Sequence, residues 1–281
     1  MGTCYFLTKP TSPIARRIRR PQMANHPFIV TGAASGIGEA TAQKLIANGR
    51  EVISLDIKTP SADVSAHYHC DISDPRSIDE VAAELDQTYA SLLNIAGVPD
   101  TVGDELTMRV NTFGLRHLTE ALWERLADGG TVVNVASIAG NNWRKRRDLI
   151  NEMLDTPDFD SALTWWEANH ENTGIDAYTL SKEAVVLYTM RLAGRGLSRG
   201  IRVNDVGPGP VETPILPDFT QAVGPDNMKT LIGAVGRPAQ PADIAEALVV
   251  LAEGQMSWVN GQHLVVDGGL TAGFSAGWAN G

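Results

Sequence analysis

From Phe28 onward, short β-branched runs alternate with longer helix-like stretches, and this alternation constrains the fold more than any other feature of the chain. FIVTG precedes an amphipathic stretch from Gly38 to Asn48, EVISLD and HYHCDI precede a helix from Asp74 to Tyr89, and SLLNIAG precedes NTFGLRHLTEALWERLA. GTVVNVAS, a long helix from Tyr178 to Leu197, IRVNDVGPG, a helix from Pro241 to Ala252 and QHLVVDGG complete the series. Parallel neighbours need a crossover connection, so strand and helix in alternation imply a parallel sheet covered on both faces. The expected architecture is α/β: a Rossmann-type, doubly wound sheet of seven strands. With no internal repeat and no Pro/Ser-rich linker, residues 23–281 read as one domain.

Composition narrows the function. Of 281 residues, 43% are apolar and 20% charged, which excludes a disordered chain. Cys4 and Cys70 give no paired spacing, which excludes a disulfide scaffold and favours a reducing cytoplasm. The net charge of -10 would repel nucleic acid and anionic lipid, and no apolar run approaches the ~18 residues of a membrane span, so the expected partner is a small molecule. Residues 1–22 stand apart, with Lys9, Arg16, Arg17, Arg19 and Arg20 and no acid. Three prolines interrupt them, and they read as a flexible extension, or as the product of an upstream start codon with Met23 following.

Thr31-Gly32-Ala33-Ala34-Ser35-Gly36-Ile37-Gly38 joins the first strand to the first helix, where backbone N–H groups and the helix dipole can hold a pyrophosphate. Gly32, Ser35, Gly36, Ile37 and Gly38 are the candidate contacts. Any tight strand-to-helix turn also wants glycine, so position after strand one carries the assignment. Asp56, at the tip of strand two and about 20 residues beyond the turn, would accept hydrogen bonds from ribose hydroxyls and repel a 2′-phosphate, favouring NAD over NADP. Its alternative is a solvated loop acid. Asp71 and Ile72 would flank the adenine, while Asn94, Ala96 and Gly97 end strand four near the same crevice; both groups could otherwise be turn residues.

TGAASGIG, NIAG, Asn111, Ser137, Tyr178-Thr179-Leu180-Ser181-Lys182 and GPGPVETP, in this order, resemble the short-chain dehydrogenase/reductase family over about residues 27–270. Residues four apart share a helix face, so Lys182 can sit beside Tyr178 and lower a phenol pKa that is ~10 in isolation. Tyr178 is then the base, and Ser137, at the end of strand five, holds the substrate oxygen. The resemblance adds that Lys182 binds the nicotinamide ribose, that Asn111 holds a water of the proton relay, and that Pro208, Gly209, Val211 and Thr213 contact the carboxamide. Asn111 could instead be a helix N-cap. His67, His69, His117 and His263 have no metal-ligand spacing, and no metal is expected.

Ser137 and Tyr178 are 41 residues apart, against about a dozen in most of the family, so residues 141–173 read as an insertion beside the substrate. It holds two helix-like pieces broken at Pro157 and carries Trp143, Leu149, Met153, Phe159, Leu163, Trp165 and Trp166. A mobile apolar cover over a bulky ring is expected, with Trp143, Met153, Trp165 and Trp166 as substrate contacts. The alternative is that these rings pack the insertion onto the domain or form an oligomer contact. Arg144-Lys145-Arg146-Arg147 reads as a solvated face. A short Gly97–Asn111 segment and the long insertion together resemble a subgroup containing bacterial 3α-hydroxysteroid dehydrogenase/carbonyl reductases and coniferyl alcohol dehydrogenases. That resemblance implies an aromatic or polycyclic alcohol oxidised by NAD, and a homodimer or homotetramer with the helix from Tyr178 at the subunit contact. Glu152, Asp155, Asp158, Asp160 and Glu167 in the insertion leave room for a cationic aryl amino alcohol. The rivals are a steroid or quinone carbonyl reductase and a nucleotide-sensing scaffold without turnover.

Overall fold

A computed structural model describes residues 26–279; the basic segment 1–22 and Cys4 lie outside them. Seven strands, β1 (Phe28–Thr31), β2 (Val52–Asp56), β3 (Ala66–His69), β4 (Tyr89–Asn94), β5 (Leu126–Val135), β6 (Arg202–Pro208) and β7 (His263–Val266), form one sheet in the order β3-β2-β1-β4-β5-β6-β7. Every pairing is parallel. The order reverses between β1 and β4, which opens a crevice at their carboxyl ends.

The helices are α1 (Gly36–Ala47), α2 (Pro75–Glu84), α3 (Asp104–Met108), α4 (Leu115–Leu122), α5 (Arg147–Leu154), α6 (Phe159–Asn169), α7 (Ala177–Gly196), α8 (Leu216–Val223), α9 (Pro225–Val235), α10 (Pro241–Ala252) and α11 (Leu270–Ala276). Local chemistry sets their ends. Asp74 accepts the Arg76 N–H with Pro75 at the first helical position, and Asp176 accepts the Thr179 N–H at 2.7 Å. The expected helix from Asp74 to Tyr89 stops at Glu84, because Tyr89 to Leu93 is an apolar run buried on both faces and belongs to β4.

One core packs α2, α4 and α7 on one sheet face; the other packs α1 and α10 on the opposite face. The insertion breaks near Pro157 as expected, into α5 and α6, with Asp158 capping α6 through the Ser161 N–H. Its Ile150, Met153, Phe159, Ala162 and Trp166 join the first core. Arg116, itself buried, donates to the backbone carbonyls of Met153, Leu154, Thr156 and Asp158 and so ties the turn between α5 and α6 to α4. Along α7, Leu180 to Thr189 is buried without a break by residues of the same chain, which leaves this stretch little free surface for the expected subunit contact. No described helix is long and apolar enough to cross a membrane.

Candidate active site

The β1–α1 turn lines one end of a cleft of about 710 Å³. Gly32 and Gly36 have φ of 69° and 55°, which favour glycine. A Cβ on Gly38 would lie 2.0 Å from the Gly32 carbonyl oxygen, so Gly38 serves the packing of α1 on β1 and does not itself line the cleft. Ser35 is the N-cap of α1 with its hydroxyl uncommitted to the helix, leaving the first-turn N–H groups and this hydroxyl facing the cavity. Asp56 Oδ2 accepts the Ala34 N–H and Oδ1 the Lys58 N–H, both at 2.9 Å, which fixes the carboxylate at the rim rather than leaving it a free loop acid. Asp71, Ile72, Ala96 and Gly97 line the same cavity. This donor set, tight turn and rim carboxylate fit a dinucleotide.

Asn94 does not join them. Its side chain lies inside the sheet, donating to Thr119 Oγ1 at 2.9 Å and Asn134 Oδ1 at 2.8 Å. Its side chain thus holds β4 to β5, and Asn94 does not line the cleft.

At the other end, Tyr178 sits in the second turn position of α7 behind its Asp176 cap, and Lys182 follows one turn later on the same face. The Lys182 Nζ lies 5.7 Å from the Tyr178 ring centroid and donates to the Val135 carbonyl at 3.1 Å. Ser137 follows β5 as the cap of the next short helix, accepts the Ala139 N–H, and its hydroxyl favours the Tyr178 phenolate. Burial nevertheless pushes the Tyr178 phenol up to about 12, with Asp100 and Asp176 adding to the rise. Burial also brings Lys182 down to about 8. Burial is thus the largest influence on the phenol, and the expected lowering of Tyr178 by Lys182 does not appear in the protein alone.

Asn111, 1% exposed, stands in a π-helical stretch, Arg109–Gly114. Its Oδ1 accepts the Val98 N–H and its Nδ2 donates to the Val98 carbonyl, both at 2.9 Å. It is thus not a helix N-cap: it clamps the segment that leaves Gly97, where a Cβ would meet Asn111 Oδ1 at 3.1 Å. Pro208, Gly209, Val211 and Thr213 line the cleft, with Thr213 against Gly36.

The insertion does not cover this cavity. Met153 and Trp166 are core residues, Trp143 and Trp165 pack against that core, and none of the four lines the cleft. Their apolar area is consumed by α4 and α7, which are nearer than the substrate. None of the acids of the insertion lines the cleft either: Asp155 pairs with Arg191 and Asp158 caps α6. Arg146 departs from the expected solvated face, forming a two-pronged bond to buried Glu183 at 2.6 and 2.7 Å.

The wall comes instead from α8 and α9, where Leu216, Phe219, Val223, Met228 and Leu231 face the cleft. Phe219 packs edge-on against Tyr178, centroids 5.0 Å apart. The signal for this wall is the amphipathic run directly after GPGPVETP, which continues a segment that lines the cleft. Asp100 also lines the cavity, and its Oδ1 is buried with no hydrogen-bond partner.

Residues 27–147 match the family described as short chain dehydrogenase, and residues 162–271 match that described as enoyl-(acyl carrier protein) reductase; the interval falls within the insertion. The chain is 34% identical to a coniferyl-alcohol dehydrogenase of Pseudomonas sp. (strain HR199 / DSM 7063), over 89% of this chain and 98% of that one. It is 28% identical to a 3-alpha-hydroxysteroid dehydrogenase/carbonyl reductase of Comamonas testosteroni, over 87% and 96%. Among solved structures, the 3-alpha-hydroxysteroid dehydrogenase of Pseudomonas sp. B-0831 complexed with NADH superposes with a TM-score of 0.73 at 30% identity, covering 89% of this chain and 98% of that one. Sheet order, glycine turn, ordered Ser-Tyr-Lys set and these likenesses agree: the chain is an oxidoreductase belonging to the short-chain dehydrogenase/reductase family.

Proposed function

We propose that the protein is an NAD-dependent dehydrogenase interconverting a bulky aryl-substituted alcohol, aryl amino alcohols included, and its carbonyl compound. The observation that carries this reading is the convergence of Ser137, Tyr178 and Lys182 on a cavity whose far end is the Gly32–Gly36 turn and Asp56. A dinucleotide held by the Gly32–Gly36 turn and Asp56 would supply the acceptor for the hydride that leaves the carbinol carbon. The chain does the rest. Ser137 holds the substrate oxygen, the Tyr178 phenolate takes the hydroxyl proton, Lys182 offsets the phenolate charge and binds the nicotinamide ribose, and Asn111 fixes the segment at Gly97.

Phe219, Leu216 and Met228 favour a ring-bearing substrate, since aromatic and aliphatic walls gain most by burying one. The partnerless Asp100 oxygen favours a hydrogen-bond donor on that substrate. An ammonium there would also cancel the charge that raises Tyr178. This places the case for amino alcohols on Asp100 and not on the insertion. Asp56 supports NAD: hydrogen bonds to a charged acceptor are worth about 1.5–3 kcal/mol. Asp56→Ala should therefore weaken NAD about tenfold to a hundredfold and reduce discrimination against NADP, measured as the ratio of kcat/KM values. An unchanged ratio would remove the carboxylate argument.

The test is NADH formation across aryl carbinols, cinnamyl-type alcohols, aryl amino alcohols and 3-hydroxysteroids, with NAD and then NADP. Aryl alcohols are expected to turn over with NAD, and Asp100→Asn should lower kcat/KM for amino alcohols more than for neutral ones. Turnover of 3-hydroxysteroids alone would replace the aryl reading by the second one, to which the similarity to hydroxysteroid dehydrogenases points.

A further inference from the structure

The apolar face of α8 belongs to neither core. Leu216, Phe219, Ala222 and Val223 follow one another at helical spacing and all line the cleft, while no residue of α8 is buried. The helix leans mainly on α9 and on the 3-10 turn Asp100–Val102. Pro217 stands in its first turn, and Gly224, at a φ of 91°, ends it and turns the chain into α9, so its length is set locally. Phe219 touches the Tyr178 ring, centroids 5.0 Å apart and planes at 62°. Among the described residues that line the cleft, it is the one aromatic side chain besides Tyr178.

Proton transfer fixes where a substrate sits against this ring. The Ser137 and Tyr178 hydroxyls meet, and an alcohol oxygen held by both, at about 2.7 Å from each, leaves its carbon one bond further away. The groups on that carbon therefore begin alongside the Tyr178 ring, one flank of which Phe219 occupies. An aromatic ring joined to the carbinol carbon through a single bond can rotate until its face or edge meets Phe219, a geometry that aromatic pairs favour. A carbinol carbon that is itself part of a fused ring system has no such freedom. Its skeleton leaves the carbon in two fixed directions and competes with Phe219 for the same space.

We infer that Phe219 is the specificity-determining residue of the substrate end: it admits alcohols whose hydroxyl-bearing carbon hangs outside an aromatic ring, as in benzyl and cinnamyl types, and rejects those whose hydroxyl-bearing carbon is built into a fused polycyclic skeleton. This selection rests on the dehydrogenase reading and adds to it the connectivity that the site accepts. The neighbouring walls do not make the choice. Leu216, Met228 and Leu231 are aliphatic and can shift around either skeleton, Met228 most easily. Asp100 acts on charge, which either class can carry or lack. Because α8 has no buried residue, shortening Phe219 widens the cleft without opening a hole in a core.

Phe219→Ala removes the ring, and Phe219→Tyr keeps it. The quantity measured is the ratio of kcat/KM for a cinnamyl-type alcohol to that for a 3-hydroxysteroid, with NAD. Phe219→Ala should lower this ratio about tenfold or more, the size of effect that a few carbon atoms of pocket wall produce, while Phe219→Tyr should leave it at the wild-type value. A purely structural role would lower both kcat/KM values together, and an unmoved ratio in Phe219→Ala overturns the inference. The same ratio is read without turnover in the Tyr178→Phe background, as the affinities of cinnamamide and a 3-ketosteroid for the NADH complex, followed by coenzyme fluorescence. It should move in the same direction, and where one class gives no measurable rate this binding ratio decides. Turnover of aryl alcohols with an unmoved ratio would keep the dehydrogenase reading and remove the role of Phe219. Turnover of neither class would remove that reading and leave the binding ratio to judge Phe219, whereas wild-type turnover of 3-hydroxysteroids alone would overturn both.

Discussion

Tyr178→Phe is expected to lower kcat by about 10³-fold, the range general acid–base catalysis supplies, and to leave NADH affinity measured by fluorescence unchanged. The ring packs edge-on against Phe219 and beneath the Lys182 side chain, and phenylalanine keeps those contacts. Only the hydroxyl that meets Ser137 is lost. The wild-type pH profile carries the sign of the same argument. With the phenol pushed up to about 12, the phenolate fraction, and hence the rate of alcohol oxidation, rises with pH; it should fall again where Lys182, at about 8, gives up the charge that offsets the phenolate. A Tyr178→Phe enzyme retaining a tenth of its activity would mean that the proton leaves by another route. A nucleotide-sensing scaffold would lose nothing at all in this variant, because binding needs only the glycine turn and Asp56.

The elements that the sequence displays plainly are those fixed by short-range rules. β1 and β4 are legible because a strand buried on both faces is predominantly apolar, and the β1–α1 turn because its left-handed positions need glycine. Tyr178 and Lys182 meet because the helix period brings them together. What the sequence hides depends on partners far along the chain. The tryptophans of the insertion announce apolar burial but not whether α4, α7 or a substrate receives it. Asn94 and Asp205 look like strand-end polar residues, and only sheet register sets them on one buried rung with His263. Asp100 sits in a short 3-10 turn whose approach to α8 no local pattern encodes.

Arg146→Met should cost about 3–5 kcal/mol of stability, because it strips the partner from a carboxylate that stays buried. Glu183 has no exposed side-chain surface, and Arg146 meets it with Nε on one oxygen and a terminal nitrogen on the other. The geometry matters more than the charge count: a planar fork satisfies both oxygens, which a lysine or a water could not do from one direction. For a domain of this size, that loss lowers Tm by about 10 °C. Lys145→Met, next door but exposed, should change Tm little, and Arg146→Met combined with Glu183→Leu should recover most of the loss, since the penalty belongs to the stranded charge and not to the missing attraction. The consequence reaches the active site. Glu183 follows Lys182 on α7, and Arg146 ends the short helix that begins after Ser137, so this pair pins the Ser137 turn to the helix that carries Tyr178 and Lys182. Equal Tm losses for Arg146→Met and Lys145→Met would show the bond to be an ordinary surface contact, whereas a drop confined to Arg146→Met, with kcat falling alongside it, ties the register of the catalytic residues to one buried ion pair.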